Sequence, residues 1–121
     1  MFKNLARASV RLCAMSVAVL AFAAGAQPPA AKPPLPVAFV YVSPVGEAGW
    51  TYQHDLGRRA MEQALGPLVK TTIVEAVPEG AESERVLRDL AAQGNKLIFA
   101  TSFGYLEPAL RVATEFTGTA F

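Results

Sequence analysis

Cysteine is almost absent, with one residue, Cys13, in a chain of 121. It lies in an N-terminal segment read below as a removable leader. The remaining chain then has no thiol, which excludes a disulfide framework, a thiolate metal site and a cysteine nucleophile. Cys13 is not placed for lipid attachment either, because Val10-Arg11-Leu12 precedes it and the apolar run lies after it. The phosphate-cradling patterns are also missing. The loop Ser43–Gly49 is not G-x-G-x-x-G, and no Walker-type Lys-Ser/Thr follows it, which disfavours a nucleotide-phosphate cradle. Ser102 has no flanking G-x-S-x-G, so it is not a nucleophile on a strand-to-helix elbow. A large charge of one sign is lacking too. The formal net charge is +1, and three of the eleven Lys and Arg lie in the leader. Without them eight cations face ten carboxylates, a net −2, and nothing points to nucleic acid as a partner. There is no internal repeat.

The N-terminus is itself informative. Met1–Leu12 carries Lys3, Arg7 and Arg11 and no acid, an apolar run from Leu12 to Ala24 follows, and Ala24-Gly25-Ala26 closes it. A basic start, a short apolar stretch and an A-x-A site predict a secretory signal peptide cleaved after Ala26. The run falls short of the roughly 20 residues that a spanning helix needs. No membrane insertion is therefore expected after cleavage, and the mature chain is expected in the periplasm. Gln27–Pro36 has five prolines in ten residues, the composition of an extended linker.

From Val37 the pattern changes to alternating strands and helices. Val37–Val42 is a short β-branched and aromatic run, the mark of a strand covered on both faces. Ser43–Gly49 is its exit loop, with Pro44, Gly46 and Gly49. A helix over Thr51–Leu65 places Gly57, Ala60, Met61, Ala64, Leu65 and Leu68 on one expected inner face, and Gly66-Pro67 ends it. Val69–Val77 reads as a second, more exposed strand, and Pro78–Gly80 as a turn. A second helix, about Glu82–Gln93, buries Val86, Leu87, Leu90 and Ala91 and stops at Gly94. Lys96–Thr101 is a third strand and Ser102–Gly104 its exit. A third helix, Leu106–Glu115, is expected to bury Leu106, Leu110, Ala113 and Phe116, with Pro108 in its first turn. The order βαβαβα with short loops predicts an α/β fold, a doubly wound parallel sheet. Residues 37–121 form its domain, and the sequence stops where a fourth strand is expected.

In such a sheet, ligands bind at the carboxyl ends of the strands. The first exit loop offers Glu47, Trp50, Thr51 and Tyr52, and the third offers Ser102, Phe103, Gly104 and Tyr105. Two aromatic-bearing loops at one sheet edge suit a flat, partly polar ligand, stacked on Trp50 and oriented by hydroxyls and loop N–H groups. His54 and Asp55 do not form a catalytic dyad, because adjacent helical residues point about 100° apart. Glu79, Glu82 and Glu84 read as charges favoured at a helix start and not as a metal site. No cofactor is expected.

Three blocks carry a resemblance: GWTYQHDLGR (Gly49–Arg58), VPEGAESERV (Val77–Val86) and IFATSFGY (Ile98–Tyr105). In this order the chain resembles the N-terminal part of the BMP-family (basic membrane protein, PnrA-like) substrate-binding proteins of ABC transporters. The resemblance implies part of the N-terminal lobe of a type I periplasmic-binding-protein fold. It also implies a purine nucleoside or nucleobase-like ligand, an ABC transporter permease as partner, and no enzymatic step. It assigns base stacking to Trp50, polar contact to Thr51 and the acidic loop position to Glu47, and carries the third loop over as Ser102–Tyr105. Family members run to about twice this length or more, so a truncated lobe unable to close over ligand is expected. Two other classes fit less of the sequence. One is a single-lobed exported sensory or partner-binding module. The other is a nucleoside-processing enzyme half, which needs a carboxylate cluster that Glu47 alone does not supply.

Overall fold

The central strand β1 spans Leu35–Val40, and Val37, Ala38 and Val40 within it are fully buried. A computed structural model describes residues 32–121. The leader and the first part of the proline-rich segment lie outside the described residues. The end of that segment, Leu35-Pro36, is drawn into β1, two residues ahead of the expected start. Leu35 and Pro36 pair with Val69 and Lys70, and the Pro36 carbonyl accepts from the Lys96 N–H at 2.9 Å. A proline is tolerated there because it stands at the start of the strand.

Helix α1 covers Trp50–Leu65, β2 Val69–Val74, α2 Ala81–Ala92, β3 Leu97–Ala100 and α3 Leu106–Glu115. The three strands are parallel in the order β2-β1-β3, so the expected α/β alternation and parallel sheet are present. The continuous apolar run of β1 is explained by burial on both faces. On one face Ala38, Val40 and Ile98 pack with Val86, Leu87, Leu90 and Ala91 of α2 and Val112 of α3. The predicted inner face of α2 is therefore correct. On the other face Val37, Phe39 and Tyr41 pack with Met61 of α1 and with Val69 and Leu97. Each fully buried Val, Leu or Ile contributes roughly 1.5–3 kcal/mol relative to exposure.

Two helices are turned from their expected orientation. In α1 only Thr51 and Asp55 are buried, while Gly57, Ala60, Ala64, Leu65 and Leu68 are exposed. The reason is polar. Asp55 accepts from the Tyr41 hydroxyl at 3.3 Å, and Arg58 donates to Thr71 of β2 at 3.1 Å. These bonds seat the Thr51–Asp55–Arg58–Glu62 seam against the sheet. In α3 the inward residues are Pro108 and Val112, whereas Leu106 and Leu110 stay more than half exposed. They line an apolar groove of about 600 Å3 along β3, with Phe99, Phe103 and Phe121.

β2 ends three residues before the expected Val77. Tyr41 N–H donates to Val74 O, yet the next bond to Tyr41 O comes from Val77 and not from residue 76. One residue is therefore out of step, a bulge, and Ala76 takes a left-handed φ of 53°. Helices α1 and α2 each follow a glycine, Gly49 and Gly80, both with φ 93° and no side-chain cap. A side chain at either would be strained.

Candidate functional site

Because all three strands are parallel, their exit loops gather at one end of the sheet. Each pair of loops is tied by a hydrogen bond. Between the first and second loops, Val45 N–H donates to Glu75 Oε1 at 2.6 Å. Between the first and third, Trp50 Nε1 donates to the Thr101 carbonyl at 2.5 Å. Between the second and third, Ser102 Oγ and Gly104 N–H donate to Glu79 Oε1 at 2.5 and 3.2 Å. A deeper tie joins the same two loops, where the Tyr105 hydroxyl donates to Val77 O at 2.6 Å.

Trp50 opens α1 and is 64 % exposed. Its N–H is fixed by Thr101, whose own hydroxyl donates to Val40 O at 2.7 Å, so the indole is anchored through the end of β3 to the central strand. His54, one turn on, meets it edge-to-face with ring centroids 4.8 Å apart. The result is a large aromatic surface held in a set orientation and open to solvent, a geometry suited to stacking. Phe103, at 91 % exposure, is a second open aromatic on the third loop. Glu47 is exposed on the first loop and Tyr52 is half-buried.

The other sequence candidates are engaged within the protein. Thr51 is buried and its hydroxyl lies 2.7 Å from that of Ser43, which steadies the first loop. Tyr105 is fully buried in the core cluster. Burial, with the Glu79 charge adding to it, pushes its phenol up to about 12. Ser102 and Gly104 both face Glu79. A Cβ at Gly104 would overlap that exposed carboxyl group, so the glycine lets the carboxylate lie against the loop, and a side chain there would displace it. Glu79, Glu75 and Thr101 were not singled out as site residues by sequence reasoning. The sequence places Glu79 with Glu82 and Glu84 as helix-start charges, but only the latter two stand in the first turn of α2.

Asp55 and His54 diverge as expected. Burial acts to raise the Asp55 carboxyl, but hydrogen bonds and charge from Arg58 and Arg59 outweigh it and hold the group below the usual carboxylate range. Asp55 is 2.7 Å from both guanidinium groups. Its partner Tyr41 is pushed up to about 12 by burial and by the Asp55 charge. Both groups are structural. Among the described residues no cluster of three or more His, Cys, Asp or Glu could hold a metal, and no helix is long and apolar enough to cross a membrane. The groove along β3 includes Ser102 and Phe103 but no residue of the first loop.

Comparison with known proteins gives a consistent picture. The chain is 50% identical over 91 residues to a purine-binding protein of Brucella abortus (strain 2308), covering 75% of this chain and 26% of that one. It is 38% identical over 84 residues to a putative ABC transporter glucose-binding protein of Haloferax volcanii, covering 69% and 21%. The chain thus spans about a quarter of the length of the curated relatives it matches. Its fold is similar to that of an ABC transporter solute-binding protein from Conexibacter woesei DSM 14684. The TM-score is 0.59 at 23% identity, over 70% of this chain and 27% of the other. Residues 35–121 match the family described as ABC transporter substrate-binding protein PnrA-like (Bmp). The chain belongs to that family of solute-binding proteins.

Proposed function

We propose that the three tied loops form part of the binding site for a purine nucleoside or nucleobase, taken up outside the cytoplasm and delivered unchanged to an ABC transporter permease. One observation carries the reading: Trp50 is pinned by its N–H to Thr101 O while most of its surface stays open. A flat base would stack on that surface, with the open Phe103 ring of the third loop as a second apolar contact. The name of the 50%-identical relative supports the same ligand class. In this reading Trp50 and Phe103 supply aromatic contact, and Glu47 and Tyr52 lie at the rim. Thr51, Ser102, Gly104 and Tyr105 hold the loops in place. Residues 1–26 act as a cleaved export signal and the proline-rich stretch after them as a spacer.

Calorimetry with adenosine, adenine and glucose on a full-length version that supplies the second lobe tests the proposal. Heat of binding is expected for the purines and none for glucose. In that full-length version Trp50→Ala should weaken purine binding by about 1–3 kcal/mol, the scale of a lost aromatic stack. Glucose binding without purine binding, or an unchanged dissociation constant in the variant, would overturn it.

A further inference from the structure

Glu79 is set apart from the other carboxylates at the start of α2. Glu82 pairs with Arg85, and Glu84 with Arg88 and Arg111, so those charges are neutralised along the helices. Glu79 instead crosses to the third loop, where Oε1 accepts from both Ser102 and Gly104. None of the ion pairs among the described residues includes it, and its Oε2 takes no hydrogen bond from them. The absence of a Cβ at Gly104 is what leaves room for this carboxyl group. Ser102 directly follows Thr101, the residue whose carbonyl holds Trp50. An oriented carboxylate outside any ion pair is therefore held by Ser102, the residue that follows the anchor of the aromatic platform.

An ionised carboxylate can only accept hydrogen bonds. Its free oxygen is matched to a ligand that brings donors, such as sugar hydroxyls or a ring amine. It is mismatched to a phosphate, which brings negative charge and acceptors, because like charges juxtaposed on binding are unfavourable. Specificity of this kind is a difference between two affinities, and a repulsive element contributes to it as much as an attractive one. We infer that Glu79 is a specificity-determining residue of the loop site, which favours hydroxyl- or amine-bearing neutral ligands and rejects their phosphorylated forms. This rests on the nucleoside reading above.

The test is calorimetry with adenosine and adenosine monophosphate on a full-length version that supplies the second lobe. The wild type is expected to bind adenosine at least about 100-fold more tightly than the monophosphate. Glu79→Gln keeps an oxygen for Ser102 and Gly104 but removes the charge, and should narrow that ratio about tenfold or more. Glu79→Asp restores a carboxylate and should restore most of the discrimination, which a merely structural role would not require. The narrowing should also shrink at high salt, as screening of an exposed charge demands. If the wild type binds adenosine and the ratio is the same in Glu79→Gln, the role of Glu79 is overturned alone. If the wild type binds no adenosine, the ligand reading falls and the inference falls with it.

Discussion

At Asp55 three donors converge, from Tyr41, Arg58 and Arg59, on a side chain only 2 % exposed. Removing one partner of a buried pair leaves the other uncompensated, which typically costs more than the pair contributes. Asp55→Asn should therefore lower stability at pH 7 by about 2–3 kcal/mol. The pH dependence follows from the depressed carboxyl. Its contribution is fully present above the unfolded pKa of about 4 and is lost as pH falls through the lower folded value. Urea unfolding at pH 7 and pH 3 checks this, with a smaller difference between the two pH values in the Asn variant. Equal pH dependence in both proteins would remove Asp55 from the acid response. Sequence could name Asp55 but not this role, because a charged residue beside a histidine carries no local sign that it will be buried.

At the scale of elements, the strands and helix boundaries were legible and the helix faces were not. Apolar runs mark β1 and β3 without needing any orientation, and the inner face of α2 follows from its own apolar spacing. In α1, however, the apolar stripe through Gly57, Ala60 and Ala64 lost to the Asp55 and Arg58 bonds, which depend on Tyr41 just past β1 and on Thr71 of β2. In α3 the expectation holds at Phe116, which packs on the core, and fails at Leu106 and Leu110. Tyr105, fully buried and bonded to Val77 O, sets the entry of the helix and turns Leu106 and Leu110 outward. Helices α2 and α3 are further joined by a surface network in which Arg88 meets Glu84 and Glu115 while Arg111 meets Glu84. The bonds to Glu115 and Glu84 push the Arg88 guanidinium further up and hold both carboxyls low. Exposed pairs contribute little and are screened by salt. Glu115→Gln should therefore lower the melting temperature only slightly at low salt and not at all in 1 M sodium chloride. A large loss at both salts would show that the network does more than decorate the surface.

For the whole molecule, topology was the most legible level. Alternating elements with short connections admit few arrangements once crossovers are right-handed, and the observed order β2-β1-β3 is one of them. The gathering of the exit loops at the carboxyl ends of the strands came with it. The ties between loops did not, because Glu75–Val45, Glu79–Ser102 and Trp50–Thr101 each join residues from 23 to 51 positions apart. At the other end of the chain, Lys32–Pro34 lead into β1 without regular structure. If the proposed leader is cleaved, the mature chain begins at Gln27, and mass spectrometry of its N-terminal peptide checks this. A mature chain that retains Met1 or Leu12 would contradict the cleaved leader. The single indole has one more consequence. Trp50 is the only tryptophan, and it sits on the joint between the first and third loops. The protein thus carries its own optical reporter, whose emission should move toward the blue when a ring covers it and toward the red when the joint to Thr101 opens. Occupancy and loosening of the same loops can be read from opposite spectral shifts, with no label attached.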